Sequence, residues 1–333
     1  MKKTRYVAGA FIFFFLFLLI VVFYAKPKTP PTTQPPAFVT PAPIRPSVMP
    51  QPISSSPIVY TGEPPLSFPK SVTYYGVVRH RDFEIERARL FALYNIITPP
   101  NTIIGSKGRY ASFSVGSKSG TISENPLTFA FHTVLASKKF VTNNVNKYLT
   151  AVTEGLTGLS VLPDVFTPTL STQRYFTFDD PHPTELAGPE NALITTLDFV
   201  VAAGGLPVFI NDADTPAFSA SLNGDDALTE LRGFILPDVS KSDQRLAIIP
   251  YDEAVKRLKN NTGIFSSVSL TVSGDKEFMT GELPTAIRIE SVVLGYFYSA
   301  RQDYLVPVFV FTGVAAEPNE KAVLRTTTVV SAL

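Results

Sequence analysis

Residues 6 to 25 read YVAGAFIFFFLFLLIVVFYA, twenty consecutive positions without a charged side chain. At 1.5 Å of rise per residue, a helix of that length spans about 30 Å, the thickness of a bilayer's hydrocarbon core. A helix that is apolar on every face offers no side to water, so the stretch predicts a transmembrane helix whose partner is the lipid bilayer. A cleaved signal peptide is the competing reading, but its apolar region runs only about 7 to 15 residues and closes on small side chains. Here Phe23 and Tyr24 precede Ala25, and an uncleaved anchor is expected. Lys2, Lys3 and Arg5 precede the helix, while Lys26 and Lys28 follow it. That bias predicts a short cytoplasmic N-terminus at residues 1–5, and a single-pass cell-membrane protein whose remaining chain is extracytoplasmic.

Composition changes abruptly after the anchor. Between Lys26 and Pro57, eleven prolines alternate with Thr, Gln, Ala and Ser. Proline fixes φ and removes a backbone donor, so residues 26–65 predict a disordered, polyproline-like spacer that extends about 3.1 Å per residue. A ligand for a proline-recognition module is the alternative, and it requires a cytoplasmic location that the charge bias opposes.

Removing the three basic residues before the helix leaves 26 basic against 28 acidic residues. Without a basic footprint, nucleic acid is excluded as a partner. Cysteine is absent, which removes disulfides, thiolate metal sites, a cysteine nucleophile and a lipobox anchor from consideration.

Beyond residue 65 the pattern predicts an α+β fold, with antiparallel sheets and a few packed helices. A helix over residues 83 to 95, capped by Asp82, would bury Ile85, Ala88, Ala92 and Leu93. Strands follow at Tyr110 to Val115 and at Leu127 to His132, with turn chemistry at Ser117 to Gly120. A second helix covers Asn144 to Leu156. Alternation at Leu193, Thr195, Leu197, Phe199 and Val201, a Gly204-Gly205 turn and a return at Val208 to Ile210 form one hairpin. Asn223-Gly224-Asp225 marks another, between Ala217 to Leu222 and Leu228 to Leu236. A third helix spans Tyr251 to Asn260, and strands follow near Ile264 to Val272, Ile287 to Tyr298 and Tyr304 to Thr312. The order of helix and then strands occurs twice, which suggests two related α+β units, residues 66–160 and 161–315, with a polar C-terminal tail at 316–333.

The stretch Ile249-Pro250-Tyr251-Asp252-Glu253-Ala254-Val255-Lys256-Arg257-Leu258, followed by Val292 to Tyr298 and Tyr304 to Phe311, resembles a known module. It is similar to the C-terminal unit of PepSY-like extracytoplasmic proteins of the YycH/YycI type, membrane-anchored accessory regulators of a cell-wall sensor kinase. The likeness covers residues 249–312: an Ala254 to Leu258 helix, then strands ending in Leu305-Val306-Pro307-Val308. It implies an anchored, external, non-catalytic α+β domain that binds and modulates other proteins. The spacer and residues 100 to 240 have no counterpart in the module, so the kinase partner is not carried over.

The one crowd of metal-ligand types is Asp179, Asp180, His182 and Glu185, with Pro181 and Pro183 interleaved; Asp and Pro are also ordinary turn residues. His80 lies between Arg79 and Arg81 and reads as solvated, and His132 as a strand-end residue. Asn211, Asp212, Asp214, Asp225 and Asp226 offer oxygen ligands without the spacing of a calcium loop. The aromatic set Phe297, Tyr298, Tyr304, Phe309 and Phe311 reads as core packing. No phosphate loop, nucleophile elbow or H-E-x-x-H motif occurs. The expected function is a non-catalytic interaction or regulatory domain that binds another membrane or envelope protein, with no cofactor and no metal. The alternatives are an envelope hydrolase or metal-dependent enzyme centred on Asp179 to Glu185, and a structural envelope component.

Overall fold

Period-two burial explains most of this chain's secondary structure. Ala111 and Phe113 turn inward while Ser112 and Ser114 face solvent, as the pleat of a strand requires. The computed structural model describes residues 59–61, 67–93, 95–96, 102–106, 108–135, 137, 139–178, 183–211, 213, 215–260, 262–266, 271–273, 286–300, 302–316 and 323–333. The transmembrane helix expected at 6–25, and residues 26–58 of the spacer, lie outside them. Among the described residues no helix is long and apolar enough to cross a membrane.

In chain order the elements are β1 (Val59–Thr61), β2 (Ser71–Arg79), α1 (Phe83–Leu93), β3 (Ile103–Gly105), β4 (Gly108–Val115), β5 (Lys118–Ser123), β6 (Thr128–Thr133), α2 (Val145–Leu159), β7 (Phe166–Phe178), β8 (Pro183–Leu186), β9 (Ile194–Ala203) and β10 (Leu206–Ile210). They continue with β11 (Phe218–Asn223), β12 (Leu228–Phe234), β13 (Asp238–Ala247), α3 (Tyr251–Lys259), β14 (Ile264–Ser266), β15 (Thr271–Ser273), β16 (Ala286–Tyr298), β17 (Val306–Ala316) and β18 (Val323–Ser331). The fold is α+β, with mostly antiparallel strands; β1 and β10 both run parallel to β16.

Strand β9 organises the sheet. Residues 194 to 203 pair with β7 along one side. Along the other side, residues 201–203 pair with β10 and residues 194–199 pair with β11. Two wings diverge from this fork. One runs β11-β12-β6-β5-β4-β3; the other runs β10-β16-β17-β18, with β14 and β15 also on β18. A separate ribbon of β2 and β13 joins the second wing: Leu305 N–H donates to Tyr75 O at 2.9 Å, and the Tyr75 and Tyr296 rings meet edge to face at 5.3 Å.

The first wing buries one face under α1, which packs on β5, and α2, which packs on β12. Its inner row crosses Phe113, Gly120, Phe131, Leu231, Ala220 and Leu197. Gly120 sits where the Phe113 and Phe131 rings close over the strand and leave no space for a Cβ. In the second wing, β17 is buried on both sides, from Val306 to Phe311.

Several expectations need correction. Ile85, Ala88, Ala92 and Leu93 on α1 are all exposed; the buried residues are Phe83, Glu86, Leu90 and Phe91. A carboxylate at the centre of the inward face hides that face from a search for apolar stripes. The turn expected at Ser117 to Gly120 is only Gly116-Ser117, and β5 begins at Lys118. One sheet runs through both expected units, 66–160 and 161–315, since β6 pairs with β12; every described residue belongs to one compact unit beginning at Pro46. Three residues of the expected 26–65 linker form β1. The expected tail at 316–333 contains β18, in which Thr326, Thr327 and Thr328 are buried. Hydroxyl side chains satisfy themselves against backbone, as Thr326 Oγ1 does on Gly313 O at 3.4 Å, so a polar sequence here occupies the interior.

Candidate functional site

A cleft of about 210 Å³ opens where the two wings part. Leu127, Phe234 and Leu236 line it from the first wing, and Ile210 and Tyr298 from the second. The strand ends place these side chains: β6 starts and β12 stops on one side of the fork, while β10 and β16 end on the other. Asn211 takes a left-handed conformation, φ +59°, which Asn tolerates better than most residues. Its N–H donates to Tyr298 O at 2.9 Å, locking the two strand ends together.

Ionic groups form the rim and floor. Asp82 caps α1, its Oδ1 accepting from Glu84 N and Ile85 N at 2.9 and 3.1 Å. Arg81 donates through Nη1 to Glu86 at 3.1 Å and through Nη2 to Asp238 at 2.6 Å. Arg89 donates twice to Glu86 Oε2, at 2.8 and 2.5 Å, and also to the carbonyl of Leu159. Glu86 has no solvent exposure, so removing its cations would strand a buried charge. This carboxylate therefore joins α1, α2 and the start of β13. Arg109 donates to Glu124 at 2.6 Å and to Glu84 at 3.1 Å, with its guanidinium 4.9 Å above the Phe83 ring. The Arg109 guanidinium, and then its backbone N–H, hold the Glu124 carboxyl below the usual carboxylate range. The same pairing raises Arg109.

At the mouth, His80 Nδ1 lies 3.3 Å from the Tyr298 hydroxyl, and Nε2 lies 3.6 Å from Asp303. Burial pushes the Tyr298 phenol up to about 12, leaving it a neutral hydrogen-bonding group near neutral pH. Arg81 Nε is buried with no hydrogen-bond partner among the described residues.

Of the residues singled out from sequence, Asp179, Asp180 and His182 lie outside the described residues, as do Asp212 and Asp214. Glu185 is exposed on β8, opposite Phe176. Asp225 and Asp226 sit at the β11–β12 hairpin, at the other end of the wing from the cleft. Asp225 meets Lys139 at 2.5 Å and Asp226 pairs with Lys147. The Lys139 ammonium lowers the Asp225 pKa, as an ion pair does. His132 faces solvent on β6, opposite Glu230. Among the described residues no three of His, Asp and Glu gather to hold a metal. The aromatic set is core: Phe309 packs against Phe68 and Tyr251, and Tyr304 stacks on Tyr74 at 5.6 Å.

Sequence reasoning missed the cleft. Its partners are 157 positions apart at Arg81 and Asp238 and 218 apart at His80 and Tyr298. The one local signal was Glu86, spaced i, i+4 from Leu90 on a helix. No protein-family model matches the chain, and no curated protein does.

Proposed function

We propose that the chain is a membrane-anchored, extracytoplasmic, non-catalytic domain that binds another membrane or envelope protein and regulates it. The observation that carries this reading is the state of the cleft's charges. Arg81 is committed to Glu86 and Asp238, and Arg109 to Glu124 and Glu84. An acid–base catalyst needs a group poised to exchange protons near the working pH. Here Tyr298 is pushed the wrong way for that, and the hydroxyl that His80 Nδ1 meets is that same phenol. What the cleft offers is shape, apolar walls and a neutral hydroxyl, which suits recognition of one side chain from a partner. The uncharged run at 6 to 25 and the resemblance over residues 249–312 support the same reading.

A photoreactive residue at Ala300, on the cleft rim, tests it in the full chain within its own membrane, with a matched probe at Ser112 on the open face of the first wing. One discrete protein adduct from the Ala300 position alone is expected. No adduct at Ala300, or the same products from both positions, would sink the reading.

A further inference from the structure

The size of the cleft and the polar groups left free in it narrow the chemistry of its occupant. Its volume of about 210 Å³ falls below the roughly 300–1,000 Å³ of pockets that enclose a whole small molecule, so it takes a single side chain. Its cations are spoken for: Arg81 and Arg109 each hold two carboxylates. Arg81 Nε, without a partner among the described residues, is sealed from solvent and so lies beyond an occupant's reach. What remains to meet a ligand is the Asp82 carboxylate, the amides of Asn125 and Asn211, and the Tyr298 phenol.

A third residue sets the direction of the Tyr298 hydrogen bond. Asp303 Oδ1 stands 3.6 Å from His80 Nε2. A carboxylate there favours the tautomer with its hydrogen on Nε2, which leaves Nδ1 with a bare lone pair. Tyr298, whose oxygen lies 3.3 Å from Nδ1, therefore donates to it. With its hydrogen spent on the histidine, the phenol offers the cleft an acceptor.

We propose that the cleft recognises a tryptophan side chain of the partner, its indole ring between Leu127, Phe234 and Ile210 and its N–H donating to the Tyr298 oxygen, with His80 setting this preference. An indole is apolar except for one N–H, a donor with no acceptor, and so matches apolar walls beside a single acceptor. The Tyr298 hydroxyl sits at the mouth, where the flank of an inserted ring lies. An indole carries its donor on that flank, whereas a tyrosine carries its hydroxyl at the far tip. The proposal rests on the cleft being the place where the partner is recognised.

His80 also ties the preference to pH. Histidine is the side chain that changes charge between about pH 5 and 8. Protonated, it has a hydrogen on both nitrogens, so Nδ1 donates to the Tyr298 oxygen and the hydroxyl hydrogen turns toward the cleft. The acceptor becomes a donor, and the indole N–H loses its partner. Among the described residues the charged groups round His80 are Arg79 and Arg81 on its own segment, Asp303 after β16, and Asp82, Arg109 and Glu124 in the cleft lining. Arg81 is neutralised by Glu86 and Asp238, and Arg109 by Glu84 and Glu124, which leaves Asp303 as the partner of the imidazolium.

The N-acetyl amides of tryptophan and of its benzofuran analogue, in which oxygen replaces the N–H, differ in that one donor. Saturation-transfer NMR titrations of the full chain in lipid nanodiscs, with empty nanodiscs as the blank, compare them at pH 8 and pH 5. At pH 8 the tryptophan amide should bind roughly 2- to 12-fold tighter, the worth of one hydrogen bond, and at pH 5 the advantage should vanish. Tyr298→Phe should remove it at both pH values, and His80→Ala should make the ratio the same at both. Circular dichroism confirms that each variant folds. Equal affinities at pH 8, a parent ratio that ignores pH, an advantage that survives Tyr298→Phe, or tighter binding of the tyrosine or lysine amide would each overturn the proposal, as would no binding of the tryptophan amide. The adduct from Ala300 separates the two readings: if it forms while the amides fail, recognition at the cleft stands and the indole is discarded, and if it does not form, both fall.

Discussion

In β4 every second side chain from Ala111 to Ser114 is wet; in β17 six successive residues, Val306 to Phe311, are buried. At β4 the first wing is one-faced, turning Ala111 and Phe113 to the core and presenting Ser112 and Ser114 to solvent. The second wing has no wet face at β17. The difference sets how much of the sequence is constrained. A one-faced strand is free to vary at half of its positions, whereas a two-faced strand is free at almost none.

The largest effect should come from testing that contrast directly. An aspartate at Val308 or at Phe309, on opposite faces of β17, should each cost more than about 4 kcal/mol by burying an unpaired charge. In β4, Phe113→Asp should cost as much, while Ser112→Asp and Ser114→Asp stay within about 0.5 kcal/mol. Denaturant unfolding of the five variants measures this. Tolerance at either β17 position would end the two-faced description.

A step below lies the charge beneath the first wing. Glu86→Ala removes the acceptor of both Arg81 and Arg89 and should lose about 3–5 kcal/mol. Its effect should concentrate on α1, the end of α2 and the start of β13, and amide exchange can locate it. A loss of protection confined to the second wing would contradict the linkage between those elements.

The smallest effect concerns the fork. Burial holds the Tyr298 phenol up to about 12, against about 10 in an unfolded chain. The neutral form is favoured by folding, so this contribution is complete below about pH 10 and fades as pH climbs toward 12. Burial raises Tyr75 and Tyr304 in the same direction. Tyr298→Phe should change stability near neutrality by about 1 kcal/mol or less and make the alkaline decline shallower. An alkaline profile identical to the parent's would show that this phenol ionises as it does in water.

The same contrast explains which elements could be read from the chain. Strands whose burial alternates announced themselves by that alternation: β4 and β6, which carry exposed residues, and β9, which alternates between buried and half-buried ones, fall close to the expected positions. The Asn223 hairpin is explained by its own chemistry, since Asn223 Oδ1 accepts from Asp225 N and Ala227 N. Strands β7 and β13 are thirteen and ten residues of mostly polar chain, β7 largely half-buried and β13 largely exposed, with no apolar face to betray them. β18 reads as polar because its buried Thr326, Thr327 and Thr328 carry hydroxyls. α1 was found but turned the wrong way, because Glu86 rather than an apolar residue faces in. The cleft had no local signature, since pairs such as His80 and Tyr298 meet only when distant strands close the fork.

The ribbon of β2 and β13 bears on time as well as space. Arg245 reaches back to Ser71 across 174 positions, and Leu305 N–H reaches Tyr75 O of the same early segment. During synthesis β2 therefore waits for β13, and β1 for β16, before either has a strand to pair with. Folding of this kind is slow and leaves sticky edges open meanwhile. A message truncated before β13 therefore yields a chain whose β2 never finds its partner strand, while β3 to β6 can still pair among themselves.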